Sequence, residues 1–350
     1  MLGFSMYLGR DLTAQDYNYL LAMHNAGFAT VFTSLQIPED DAGVVLTRLG
    51  ELTKWCKNLD IDIVADVSQE GLARMGLSLE NFEQIQQLNL TGLRIDDGVD
   101  ASLIAKLSRS MPIALNASTI TSSEITALRE HGADFDHLQA WHNYYPRPES
   151  GLDANWFKQK NAWLHKQNLQ TMGFIGGDST KRGPIYAGLP TLEKQRGENP
   201  LAAMLELQQL NCDHVFVGDA ALSSEAIASF TDYLKNDTLT LHLAKELPEL
   251  SSQVWHNRPD VARDVVRLVE GRKRQSFDVT PQSESLPRPI GTITCDNSRY
   301  LRYQGELQIT KKDLPADERV NVLGRVVTAD LPILAQIDAG RRLTFKVAKN

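Results

Sequence analysis

Cysteine is scarce in this chain. There are three, Cys56, Cys212 and Cys295, far apart in 350 residues. An odd, sparse count gives no disulfide framework, and no CxxC pair offers a metal or redox motif. The three read as buried, inert thiols. Basic charge is also short: 36 Lys and Arg face 44 Asp and Glu, a net charge of −8. Nucleic acid is therefore not the expected partner, because phosphate backbones demand clustered cations. One small basic pocket for a phosphorylated ligand stays compatible with that balance. No apolar run reaches membrane-spanning length. The first residues, MLGFSMYLGRD, carry neither a basic n-region nor a long apolar core. A cytoplasmic protein with no membrane partner is expected. The eight histidines form no HExxH or HxH pair, so no metal is expected. No GxGxxG follows the first strand, which weakens an open dinucleotide-binding sheet.

Short apolar runs alternating with amphipathic helical patterns are what the chain does have. Strands are predicted at 2–7, 29–34, 61–66, 91–96, 112–116, 136–141, 169–175 and 213–217. Helices fall between them, with Thr13 and Asp153 as N-caps, a stop before Gly27, and a last helix at 223–234. Eight strand–helix units in about 235 residues imply parallel strands and a (β/α)₈ TIM barrel. After 236 the pattern changes. LTLHLAKEL alternates like a strand, HNRPDVARDVVRL at 256–268 reads as one helix, and GTITCDN, YLRYQGELQIT, RVNVLGRVVT and RRLTFKVA read as short strands. The expected architecture is α/β, with a catalytic barrel at 1–235 and a small β-barrel or sandwich at 236–350.

Active sites of such barrels lie at the carboxyl ends of the strands, and here nearly every strand end carries a polar residue. The ends supply Tyr7, Ser34, Gln36, Asp66, Arg94, Asp96, Asn116, Ser118 and Asp219. Two loops stand out. HNYYPRPESGL at 142–152 packs His142, Asn143, Tyr145, Arg147 and Glu149 around two prolines that hold the backbone extended. GGDSTKRGPIYAGLPTLEKQRG at 176–197 brings Asp178, Lys181 and Arg182 with several glycines, near strands seven and eight where barrels often bind phosphate. Several carboxylates around one mouth suit general acid and base chemistry. The acidic run Glu39, Asp40 and Asp41 suits a solvated loop better than a Mg²⁺ site.

Taken together, LGFSMYLG, FTSLQIPEDD, ADVS, GLRIDDG, LNAST, HNYYPRPESGL, RGPIYAGLPTLEKQR and GTITCDN…YLRYQGELQI resemble the bacterial 6-phospho-N-acetylmuramidases over essentially the whole chain. The resemblance implies a TIM barrel followed by a cyclophilin-like β domain. It also implies hydrolysis of the β-1,4 bond of 6-phospho-N-acetylmuramyl-N-acetylglucosamine during cell-wall recycling, with no cofactor.

On that reading Asp178 and Glu149 lead as catalytic candidates, with Asp96 and Asp66 in reserve. Asn116, His142, Asn143 and Tyr145 are placed on the sugar and acetamido groups. Arg147, Lys181 and Arg182 are placed on the phosphate or lactyl carboxylate, and Arg302 of the second domain either faces the mouth as a further substrate contact or is an outward strand position. A protein nucleophile, an inverting pair and attack by the substrate's own acetamido group all stay open. Two other classes compete: a lyase, isomerase or aldolase acting on a phosphosugar, and carbohydrate binding without catalysis. A Schiff-base aldolase is disfavoured because no predicted strand carries a lysine.

Overall fold

Eight short strands open the chain, each followed by helix. They are β1 Leu2–Ser5, α1 Ala14–Ala26, β2 Thr30–Ser34, α2 Ala42–Asn58, β3 Asp62–Val67, α3 Gln69–Arg74, α4 Phe82–Gln86, β4 Gly92–Ile95, α5 Ala101–Ser108, β5 Ile113–Asn116, α6 Ser122–Glu130, β6 Leu138–Trp141, α7 Ala154–His165, β7 Gln170–Ile175, α8 Pro200–Gln209, β8 His214–Val217 and α9 Ser224–Asn236. The computed structural model describes residues 1–36, 42–96, 98–274 and 277–348. Glu39, Asp40 and Asp41 lie outside the described residues, as does Asp97. The chain divides into two compact units, Met1–Ile227 and Ala228–Asn350.

In the first unit every strand pairs parallel with its neighbour, and β1 pairs with both β2 and β8, closing the barrel. The helices begin where the sequence offers caps. Thr13 with Asp16 and Thr121 with Glu124 form capping boxes, and Asp153 accepts the Trp156 N–H. Gly27 ends α1 at φ 107°, a conformation open to glycine at little steric cost. The barrel interior is packed with Phe32, Val64, Ala114, Trp141, Met172, Phe174 and Phe216. Trp141 and Phe216 meet edge to face at 4.9 Å. Gly3 makes room for this: a Cβ there would sit 2.6 Å from the Phe216 ring.

The second unit is β-rich. It contains β9 Thr238–Leu243, β10 Trp255–His256, β11 Val265–Leu268, β12 Thr292–Asp296, β13 Leu307–Thr310, β14 Val320–Arg325 and β15 Arg342–Val347. These form a three-stranded sheet in the order β10-β15-β9 and a four-stranded sheet in the order β11-β13-β12-β14. Two expectations are corrected. The run 256–268 is not one helix but a hairpin, with the Arg258 N–H on the Arg267 carbonyl and the Val269 N–H on the His256 carbonyl. Pro259 cannot donate to a helical ladder, and pairing with β15 and β13 outweighs the helical spacing. The first half of YLRYQGELQIT is likewise no strand. Ser298–Tyr303 is a 3₁₀ segment kinked at Leu301, so Arg302 sits on a turn.

Candidate active site

Side chains alternate along a strand, so a residue two beyond an inward core residue also faces inward. That parity carries the barrel interior up to its carboxyl mouth. Val64 leads to Asp66, Ala114 to Asn116, and Trp141 to Asn143. Arg94, inward on β4, reaches its neighbour β3 and, across the mouth, the residue two beyond the end of β6. Its Nη1 donates to Asp66 Oδ1 at 2.5 Å and its Nη2 to Asn143 Oδ1. Arg94 is buried, and the Asp66 carboxylate is only slightly more open. Burial raises the Asp66 carboxyl above its ordinary value. Arg94 and Arg182 pull it back down, while the Asp96 charge nearby pushes it up further. Asp66, Arg94, Asp96, Asn143 and Arg182 therefore form one electrostatic group at the mouth.

Arg182 is built into this group from the other side. Its guanidinium lies 3.4 Å over the Tyr7 ring and donates to the Tyr144 hydroxyl at 2.9 Å. Tyr144 packs on the interior aromatic cluster. Tyr7 donates to the Gly218 carbonyl at 2.5 Å, and burial raises its phenol well above the ordinary value. The loop carrying Arg182 is organised by Asp219, which is fully buried. Its carboxylate accepts the N–H groups of Gly177 (2.9 Å), Arg182 (3.1 Å) and Leu189 (3.2 Å), with Lys181 Nζ at 3.6 Å. Lys181 and Arg182, with Tyr7, Tyr19 and Tyr186, line a cavity of about 510 Å³ over the ends of β1, β7 and β8.

The two loops singled out in the sequence are fastened to each other. The Tyr145 N–H donates to the Pro190 carbonyl and the Leu152 N–H to the Thr191 carbonyl. Glu193 accepts the N–H groups of Glu149 and Gly151, and Arg196 donates to the carbonyls of Tyr145 and Gly188 while pairing with Glu193. That Arg196 pairing holds the Glu193 carboxyl down at about 2.

Against this geometry the expected residues separate. Asp66, Asp96, Asn143 and Arg182 come together. Asn116 sits on the inward face of β5 and accepts the Ser118 N–H, beside Asp96 in a hollow of about 80 Å³. Tyr145 is half-buried in the fastened loops, and Arg147 is exposed with no ion pair among the described residues. Glu149 is exposed at φ 71° on the same loop. Asp178 is exposed and engaged elsewhere: its carboxylate accepts both the N–H and the hydroxyl of Ser223, just before α9. His142 is corrected. It is fully buried on the outer side of β6, bonded to Asn161 of α7 at 2.8 Å and packed on Phe157, and desolvation lowers its imidazole to about 4. Its position directly after inward-facing Trp141 accounts for this. Arg302 belongs to the second unit and donates to the Tyr303 hydroxyl. Arg94, Tyr7 and Asp219 were noted at strand ends but given no role, and Tyr144 in the 142–152 loop was given none either. Strand parity counted from Val64 and Ala114 was the signal for Arg94, but nothing local marks Asp219 as the centre of a loop.

The family model of the 6-phospho-N-acetylmuramidase N-terminal domain matches residues 2–232, and that of the C-terminal domain matches residues 238–346. The chain belongs to this family. Two crystal structures resemble it along nearly all its length. One, a conserved protein from a locus in Enterococcus faecalis with an unknown function, is 41% identical, with 99% of this chain and 96% of that one covered at a TM-score of 0.90. The other, an uncharacterized B. cereus protein, is 25% identical, with 99% of both chains covered at a TM-score of 0.76. No curated protein sequence matches the chain. Membership of the 6-phospho-N-acetylmuramidases makes the chain a glycosidase, a hydrolase whose family substrate is a phosphorylated muramyl sugar. Among the described residues no helix is long and apolar enough to cross a membrane, and no three His, Cys, Asp or Glu side chains are grouped to hold a metal ion.

Proposed function

We propose that the protein hydrolyses the β-1,4 bond of 6-phospho-N-acetylmuramyl-N-acetylglucosamine, releasing N-acetylmuramic acid 6-phosphate and N-acetylglucosamine, as a cytoplasmic step of peptidoglycan recycling. The observation that carries this reading is the group at the mouth. A carboxyl group raised by burial (Asp66) stands near a second carboxylate (Asp96) and within electrostatic reach of a cation (Arg182) whose own loop lines a cavity. Glycoside hydrolysis needs one carboxyl that keeps its proton and another that stays ionised.

In this mechanism Asp66 gives its proton to the leaving glycosidic oxygen, held in orientation by Arg94 and Asn143. Asp96 supplies the anionic partner. Lys181 and Arg182 meet the 6-phosphate, with Arg182 held flat by Tyr7 and Tyr144 so that its remaining N–H donors keep a fixed direction. Gln36 Nε2 and Ser118 Oγ are buried without partners among the described residues. A ligand's hydroxyl or carbonyl groups complete them, since an unpaired buried donor costs about 1–3 kcal/mol.

The test is to incubate the purified protein with the disaccharide in its phosphorylated and unphosphorylated forms and to measure N-acetylglucosamine. Release from the phosphorylated form is expected, and its absence would sink the reading. Equal release from both would remove the phosphate role of Lys181 and Arg182.

A further inference from the structure

The second unit has a charged cleft of its own. Arg258, Pro259, Leu268, Val269, Arg272, Lys273 and Glu306 enclose about 520 Å³, within the size range of small-molecule pockets. The charges in it are unevenly matched. Arg258 is paired with Asp260, and Arg267 with Glu306 and Asp260. Arg272 and Lys273 are exposed and form no ion pair among the described residues. Arg302 neighbours Arg272, which donates to its carbonyl at 2.7 Å, and the guanidinium groups of Arg272 and Arg302 lie 5.9 and 5.0 Å from the centre of the Tyr303 ring.

The remaining surfaces are of other kinds. Leu268 is buried and gives the cleft an apolar floor with Val269 and Pro259. Glu306 is 5% exposed and uses Oε1 to accept from Arg267, which leaves Oε2 as an acceptor in a cleft otherwise rich in donors. Close by, the chain carries a cost that its own packing does not reward. Leu301 is held at φ 53° and ψ −119° with its side chain 76% exposed. Left-handed φ in a non-glycine residue is strained, and such positions cluster at ligand clamps. Here the kink sets Arg302 and Tyr303 beside Arg272.

We infer that this cleft of the second unit is a ligand site in its own right, for a small phosphomonoester on a hydroxylated carbon skeleton. Arg272 and Lys273 take the phosphate, Glu306 accepts a hydroxyl, and the Leu268–Val269 floor takes the carbon face. The inference does not depend on the reaction assigned to the barrel.

Titration calorimetry of the full chain with glucose 6-phosphate and with glucose tests it, using three proteins. Lys181→Ala/Arg182→Ala removes the two cations that line the barrel cavity from its loop and is expected to keep one glucose 6-phosphate site. Adding Arg272→Ala/Lys273→Ala is expected to weaken that site at least tenfold, and glucose alone is expected not to bind it. Both added positions are exposed, so an unchanged melting temperature accompanies the loss. Lys273→Glu in the barrel double variant serves as a second probe and is expected to weaken binding at least as much. Unchanged affinity in the Arg272/Lys273 variant, or complete loss of binding on removing Lys181 and Arg182 alone, overturns the site.

Discussion

At the scale of single residues, Asp66 and His142 show how burial sorts chemistry from structure. Burial raises the Asp66 carboxyl, and as the proton donor it is active only when protonated. The rate therefore falls as pH rises through that raised value. Asp66→Asn is expected to lower kcat by about 10²–10⁴ and to erase the alkaline limb of the pH profile, while leaving the circular dichroism spectrum unchanged. His142 behaves in the opposite way. Its folded value of about 4 lies below the ordinary 6.5, so the native state prefers the neutral ring. Its contribution is complete above pH 6.5 and is lost as pH falls toward 4. At about 1.4 kcal/mol per pH unit, that is roughly 3 kcal/mol. Urea midpoints between pH 4 and 7 should show the slope, and His142→Phe should flatten it, with His214, lowered in the same direction, supplying the remainder. The sequence made both residues visible as polar groups after strands. It did not separate them, because the difference is one step of strand parity. Asp66 stands two residues beyond inward Val64, and His142 one beyond inward Trp141.

At the scale of elements, the loops 142–152 and 176–197 behave as one rim. Arg196 is the fastening: it reaches backbone carbonyls on both loops and pairs with Glu193, which in turn holds two N–H groups of the first loop. Arg196→Ala is expected to cost about 1–3 kcal/mol in denaturant unfolding and to raise KM more than it lowers kcat. A lowered kcat at unchanged KM would show that the fastening serves chemistry instead. The sequence identified both loops from their prolines, glycines and charges, and it identified the eight strands and most of their helices because apolar period and caps agree there. It misread 256–268, where Val261, Val265 and Leu268 fall at helical spacing. The pairing partners of that hairpin, β13 and β15, lie far downstream, so no local window contains the information that decides it. The mutual fastening of the rim was hidden for the same reason.

At the scale of the whole molecule, the division at Ile227 and Ala228 falls inside α9. A chain ended at Asn236 keeps that helix entire, whereas one ended at Ile227 leaves a single turn of it, too short to persist alone. The first truncation is expected to unfold cooperatively on heating and the second to lose cooperativity, as read by circular dichroism. If both melt alike, α9 is not part of what holds the barrel.

The buried carboxylate of Asp219 has a kinetic consequence. Three backbone N–H groups are anchored to it from within, so the anion-facing loop is already in place before any ligand arrives. Little ordering entropy remains to be lost on capture. Stopped-flow mixing of the Arg272→Ala/Lys273→Ala protein with a phosphorylated sugar should then give one exponential whose rate grows linearly with concentration, with no slow closing step behind it. Asp219→Asn should introduce such a step, because the loop must then find its shape around the ligand.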